Sequence, residues 1–132
     1  MANTFQLSVV APDKTIVDEV TESVTAPGVQ GYFGVLAGHE PFVTQLKSGV
    51  VAYLDGAGQE QKVAVSGGFV EASGDHVIIL ADSAERGVDI DRARAESAAS
   101  RAKDRLANRD GIDTPRAKSA LERAENRLRL AK

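Results

Sequence analysis

The chain has no cysteine, which excludes a disulfide framework, a thiolate metal site and a cysteine nucleophile. Its only histidines, His39 and His76, stand far apart, so no zinc centre is expected. No apolar run approaches the roughly 20 residues needed to cross a bilayer. The opening MANTFQLSVV lacks the basic n-region of a secretory signal. The expectation is a soluble, intracellular protein that meets a membrane only through another protein. No nucleophile stands with a base in any recognisable grouping, and Glu71, Asp75 and Asp82 lack the spacing of a carboxylate pair. No catalytic residue and no metal ligand are expected. Gly28, Gly31 and Gly34 look superficially like a phosphate loop but lack its lysine and its following helix.

Two further absences divide the chain. No arginine precedes Arg86, and no aromatic residue follows Phe69. All six aromatics (Phe5, Tyr32, Phe33, Phe42, Tyr53 and Phe69) and ten of the twelve glycines lie in the first 84 residues. That stretch carries 3 lysines against 10 acids, net −7; residues 85–132 carry 13 basic residues against 9 acids, net +4, which together give the −3 of the whole chain. Beyond residue 85 the sequence is mostly Ala, Arg, Lys, Glu, Asp and Leu. Such a break implies two modules of different architecture, 1–84 and 85–132, with different partners.

The first module reads as strands. In FQLSVV (5–10), Phe5, Leu7 and Val9 alternate with Gln6 and Ser8, the period of a half-buried strand. Short strand candidates follow at 15–17, 20–26, 32–36, 42–47, 50–54, 62–65, 68–71 and 77–81. Between them lie turn signals: Pro12, Pro27 to Gly31, Ala37 to Pro41, Asp55-Gly56-Ala57-Gly58 and Ser73-Gly74-Asp75. Gly67-Gly68 reads as a bulge or tight bend. The expectation is an antiparallel sandwich or flattened barrel.

The second module reads as two antiparallel helices spanning about 88–131. Ala95, Ala98, Ala99, Ala102 and Leu106 fall at helical spacing, with Asp89 or Asp91 as N-cap. Asn108 to Gly111 breaks the pattern. Asp113 or Thr114 caps a second helix, Pro115 suits its first position, and Ala117, Ala120, Leu121, Ala124, Leu128 and Ala131 form its stripe. Alanine favours the helix but buries little area, so this hairpin is expected to be stable as helix and weakly anchored. That combination suits a switch element.

Several ordered blocks carry a resemblance. Gly31-Tyr32-Phe33-Gly34-Val35-Leu36-Ala37-Gly38-His39-Glu40-Pro41 resembles the G-x-x-G-I-L-P-G-H-x-P stretch of the epsilon subunit of F-type ATP synthases. VVAPDK (9–14), Val65 to Glu71, Val77 to Ala81 with Ala84-Glu85-Arg86, and the helical tail also match in order. The resemblance implies a non-catalytic subunit of the rotary central stalk. Its sandwich, of about ten strands, holds the gamma subunit and sits on the c-ring of Fo. Its helix pair folds against the sandwich or extends into the alpha/beta catalytic hexamer, where it inhibits ATP hydrolysis. The implied location is peripheral, on the cytoplasmic side of a bacterial plasma membrane or the equivalent face of another bioenergetic membrane.

No obligatory cofactor is implied, but ATP is a regulatory ligand of some family members. Their signature, I/L-D-x-x-R-A, is met by Ile90, Asp91, Arg94 and Ala95, with Glu85, Arg101, Arg123 and Arg127 at the supporting positions. Arg94 and Arg101, seven apart, share one helix face; Arg123 and Arg127, four apart, share another. Converging guanidinium forks bind a triphosphate bidentately. The inhibitory-arm candidates are Arg116, Lys118, Arg123 and Arg127. Partner contact is expected at Gly28, Gly31, Tyr32, Gly38 and His39. Two departures matter: Ala37 replaces the family's proline before Gly-His, and Tyr32 replaces a frequent acid, so polar contact of that acid with the ring does not transfer.

Plainer readings stand beside these. Ile90 to Ala95 also reads as a simple helix start, with Asp91 as cap and Arg94 as a solvated charge. A constitutive stalk subunit without nucleotide sensing is compatible with every motif. A nucleic-acid module built on the basic hairpin is disfavoured by its interspersed acids and missing aromatics, so no nucleic-acid partner is expected.

Overall fold

The computed structural model describes residues 3–107 and 114–130. The chain divides into two units, 1–86 and 87–132.

Among the described residues the first unit holds eight strands: β1 (Phe5–Ala11), β2 (Lys14–Thr21), β3 (Ser23–Gly28), β4 (Gly31–Leu36), β5 (Phe42–Leu54), β6 (Glu60–Ser73), β7 (His76–Ala81) and β8 (Ala84–Arg86). They run in the order β2-β1-β7-β6-β5-β3-β4, with β8 on β6. All pairs are antiparallel except β1 with β7, which is parallel. β5 and β6 are each one long strand where the sequence suggests two. Their pairing skips from Leu46↔Gly68 to Ser48↔Ser66, so Lys47 and Gly67 form an irregularity through which both strands continue. Each of the two therefore serves two regions of the sheet. The C-terminal half of β6 pairs with β7 and the N-terminal half with β8. Counting β5 and β6 twice turns eight strands into the expected ten.

Gly67 and Gly68 have φ of 79° and 118°, a region L side chains rarely adopt. A Cβ on Gly68 would lie 2.0 Å from the Leu80 carbonyl oxygen, so backbone crowding as well as φ demands glycine there. The Asp55–Gly58 turn closes through the Gly58 N–H donating to the Asp55 carbonyl at 3.0 Å. The Asp55 carboxylate also accepts the Gln59 N–H, the Gln61 side-chain amide and the Ala57 N–H, which in that order hold its pKa below the usual value.

The core is one cluster of mostly β-branched side chains, with Leu7, Val9, Val51, Val77 and Ile79 at 0% exposure. Burying each is worth about 1.5–3 kcal/mol. One polar bolt crosses it. Tyr53 on β5 donates its hydroxyl to Glu19 on β2 at 2.5 Å. Arg86 on β8 lies 3.8 Å from the same carboxylate and donates Nε and Nη2 to the Ile16 carbonyl at 3.1 and 3.0 Å. Burial, then the bond to Glu19, pushes the Tyr53 pKa up to about 12.

The second unit begins with a 3-10 turn (Gly87–Asp89), followed by α1 (Arg92–Ala107) and α2 (Thr114–Leu130). α2 packs against α1 and also touches the turn that precedes α1. The chain therefore doubles back, and the helices run antiparallel. Buried positions are Ala95, Ala99 and Ala102 on α1 and Ala117, Ala124 and Asn126 on α2. Ala98, Leu106, Ala120, Leu121 and Leu128 are half-buried along the same stripes. The expected break at Asn108 to Gly111, the Asp113 cap and Ala131 lie outside the described residues.

Candidate nucleotide face and partner surfaces

The start of α1 explains its own motif. Asp91 is the N-cap: its Oδ1 accepts the Arg94 N–H at 3.1 Å and its carbonyl accepts the Ala95 N–H at 3.0 Å. Ile90 just before the cap and Ala95 at the fourth helical position are both buried, the arrangement of a hydrophobic staple. The isoleucine, aspartate and alanine of I-D-x-x-R-A therefore fix the helix entry, and Arg94 is the exposed member they aim.

Helix phase sets the arginine arrangement. Arg94 and Arg101 each directly precede a buried alanine of α1, and Arg105 follows Ala102 by three. On α2, Arg116 and Arg123 directly precede buried alanines, and Arg127 follows Ala124 by three. In an antiparallel pair, the flanks preceding the two buried stripes lie on the same side of the hairpin. Arg94, Arg101, Arg123 and Arg127 thus share one face. Arg105 and Arg116 lie on that face too. Lys118 does not: it follows Ala117 by one and belongs to the opposite flank. That opposite flank also carries the Arg92–Glu96 ion pair at 3.2 Å. The inhibitory-arm set is therefore split between two flanks. Glu85 lies on β8, half-buried, with Ala64 of β6 as its Cα partner.

The partner-binding candidates also fall into two groups. Gly28, Gly31 and Tyr32 meet at the β3–β4 tip and line an open cavity of about 510 Å³ with Gln30, Phe33 and Phe42. Tyr32 reaches over β5, where its hydroxyl accepts the Val50 N–H at 2.9 Å. Gly49 leaves room for it: a Cβ there would lie 2.6 Å from that hydroxyl. Tyr32 is thus a pin between strands, a role its exposure conceals. Gly38 and His39 sit beyond the other end of β4, about 20 Å away at about 3.3 Å per residue. His39 meets the Phe5 ring edge-on at 5.4 Å, with Nδ1 3.1 Å from the Leu36 carbonyl. His39 Nε2 is buried with no partner among the described residues.

One surface has no counterpart in the sequence reading. Phe69 and Leu80 are direct partners across β6 and β7, and they are 52% and 49% exposed. Val10 of β1 faces Leu80, and Val43 of β5, 68% exposed, lies beside Gln45, which faces Phe69. They make an apolar row across four strands on the outer face of the sheet. The signal for it is large apolar residues at phases that the alternation assigns to solvent.

Two family models cover the chain. The "ATP synthase, Delta/Epsilon chain, beta-sandwich domain" matches residues 4–87. The "ATP synthase, Delta/Epsilon chain, long alpha-helix domain" matches residues 89–132. The chain belongs to the ATP synthase delta/epsilon family. Among its relatives, the ATP synthase epsilon chain of Carboxydothermus hydrogenoformans is 45% identical over 109 residues, 83% of this chain and 81% of that one. That of Desulfosudis oleivorans is 47% identical over 106 residues, 80% of each chain. A chain in the Euglena gracilis mitochondrial ATP synthase structure (OSCP/F1/c-ring, rotational state 1) superposes with a TM-score of 0.80 at 26% identity, covering 94% of this chain and 79% of that one. One in the central stalk/c-ring structure of the Tetrahymena thermophila mitochondrial enzyme gives 0.54 at 14% identity over 95% and 91%, a likeness of fold alone. Among the described residues no helix is long and apolar enough to cross a membrane.

Proposed function

We propose that this member of the family is a non-catalytic rotor subunit that couples proton translocation to ATP synthesis and restrains ATP hydrolysis through its hairpin. The sandwich clamps the gamma subunit and seats on the c-ring. The hairpin extends into the alpha/beta hexamer to inhibit, and ATP bound on its arginine face favours the closed form. The subunit is peripheral on the cytoplasmic side of the plasma membrane and touches lipid only through its complex.

The observation that carries the regulatory part is the single arginine-bearing face of a hairpin whose contact stripes are mostly alanine. Four guanidiniums from two helices match the charge and fork geometry of a triphosphate. Binding across both helices stabilises the closed hairpin by mass action. The exposed row of Val43, Phe69 and Leu80 supports the clamp, because a contiguous apolar surface of this kind is a protein-contact site. We assign it to the gamma subunit.

The test is thermal melting of the whole chain with and without millimolar ATP, in wild type and in Arg94→Ala/Arg123→Ala. ATP raises the wild-type Tm and leaves the variant unmoved. Deletion of 88–132 raises ATP hydrolysis by the assembled motor; unchanged hydrolysis defeats the inhibitory reading. A second reading, a constitutive stalk subunit without nucleotide sensing, is favoured by one observation: the Asp91 carboxylate already serves as the helix cap. A wild-type Tm insensitive to ATP selects it.

A further inference from the structure

The two ends of the strand order are protected differently. β2 stands at one end and carries Lys14, Asp18 and Glu19. Its ladder with β1 steps from Val9↔Val17 to Val10↔Thr15, which leaves Ile16 as an extra residue, and the Arg86 guanidinium donates to the Ile16 carbonyl. Charge, a bulge and a covered carbonyl each keep a strand edge from pairing with another chain. β4 stands at the other end and has none of these. Its ladder with β3 runs unbroken from Ser23↔Leu36 to Gly28↔Gly31, and no strand lies on its far side among the described residues. No Asp, Glu, Lys or Arg occurs between Ser23 and His39.

The residues of β4 suit a second copy of the same strand. Tyr32, Gly34 and Leu36 lie on its outer face, with Tyr32 59% and Leu36 67% exposed, while Phe33 is half-buried and Val35 buried on the inner face. Two such edges can pair antiparallel about a two-fold axis normal to the sheet. That axis keeps the outer faces together, so directly opposite residues share a face. Centring the pair on Phe33 sets Tyr32 opposite a glycine, and centring it on Val35 does the same to Leu36. Centring it on Gly34 sets the Tyr32 of each copy opposite the Leu36 of the other, with the two small Gly34 residues between them. Only that register joins two apolar cross-strand pairs to the backbone hydrogen bonds of the edge.

We propose that the free subunit pairs with a second copy of itself through its β4 edge, in the register that sets Gly34 against Gly34. The edge offers no ion to a charged segment, whereas its own sequence supplies both halves of the apolar contact. One short strand pair falls below the roughly 1,200–2,000 Å² of a stable interface, so the pair is weak and forms as concentration rises. Tyr32 also lies at the tip where partner contact is expected, so a paired copy has that tip closed to other partners. The pairing is a property of the isolated chain and stands or falls separately from the rotor and nucleotide readings.

The chain has no cysteine, so a single introduced one reports the register directly. In the proposed pair the two Cα atoms at position 34 lie about 4.5–5.5 Å apart, within disulfide range. Gly34 has no positive φ, and a Cβ there meets nothing closer than the Thr25 methyl at 3.9 Å, so Gly34→Cys fits the fold. Mild oxidation of the whole chain carrying Gly34→Cys is expected to give a covalent dimer. Thr25→Cys lies opposite Gly34 on β3, one strand further in on each copy, which puts the two sulfurs' Cα atoms about 14 Å apart. It is expected to stay monomeric. Sedimentation equilibrium of the wild-type chain is expected to show dimer growing with concentration up to about 1 mM, and Leu36→Lys to weaken it about tenfold or more, about 1.4 kcal/mol. Val20→Lys puts the same charge on an exposed valine of the β2 edge and is expected to leave association unchanged. Circular dichroism checks that each variant is folded. A wild-type chain that stays monomeric, equal crosslinking at positions 34 and 25, association that survives Leu36→Lys, or equal loss in Val20→Lys each overturns the pairing.

Discussion

The two units solve the same problem with opposite materials. The sandwich fills its core with leucine, isoleucine and many valines at near-zero exposure, and glycine is used where backbones nearly touch. The hairpin closes mainly over alanine. A valine or leucine contributes about 1.5–3 kcal/mol when buried; an alanine contributes a fraction of that while favouring the helix intrinsically. One unit therefore resists deformation, as the torque-transmitting part of the proposed function would. The other draws on helix propensity more than on burial, as the movable arm of the proposed function would.

The sharpest way to break the contrast is at Gly68. An alanine there meets the Leu80 carbonyl oxygen at 2.0 Å and adopts a φ of 118°. Strain of about 1–3 kcal/mol adds to overpacking of similar size. Gly68→Ala should lower the urea midpoint of the body by a free energy above about 3 kcal/mol, while helix content in the tail survives. A variant of wild-type stability would mean that β6 does not bend there.

A paired substitution sharpens the comparison. Leu7→Ala in the body should cost about 2–5 kcal/mol through loss of burial and the cavity left behind. Ala99→Gly in the arm should cost about 1 kcal/mol, mostly helix propensity. Denaturation followed at strand and helix wavelengths separates the two. Equal costs would mean that the arm is as tightly packed as the body.

The arm is the more legible of the two units in the amino-acid sequence. Helical phase places its alanine stripes and its arginine flank, because a hairpin of local elements leaves its period in the chain. The strand pattern of the body is legible but its continuity is not: Lys47 and Gly67 look like breaks, whereas cross-strand pairing carries the chain through them. The parallel pairing of β1 with β7 joins residues about seventy apart, and alternation is the same for either strand direction. β8 is three residues long and lies at the break in composition, where the sequence suggests no strand; pairing with β6 and the Arg86 bonds to Ile16 hold it extended. The outer apolar row is signalled only by phase: Phe69 and Leu80 are apolar residues at positions that strand alternation turns outward, and composition alone counts them as core.

The polar bolt gives the body an alkaline limit. The Tyr53 pKa is raised from 10.0 to about 12 in the fold. Between those values the unfolded chain has lost the phenolic proton and the folded one retains it, so the folded state binds more protons and stability falls as pH rises. The contribution is complete below pH 10 and gone above about 12. Tyr53→Phe should cost about 1 kcal/mol at neutral pH and flatten the decline above pH 10. Parallel curves for variant and wild type would place the alkaline transition elsewhere.

The smallest expected effect bears most directly on the arm. Asp91→Ala removes the N-cap acceptor for the Arg94 N–H and should cost about 1 kcal/mol, seen as fraying at the start of α1. Asp91→Asn keeps a capping oxygen and should restore the helix almost fully. The two variants therefore separate cap from ligand contact. If asparagine recovers helix content and the ATP response together, the aspartate serves only to aim Arg94. If it recovers the helix and not the ATP response, the carboxylate charge itself is needed at the nucleotide, and the motif joins a structural cap to a ligand contact in one residue.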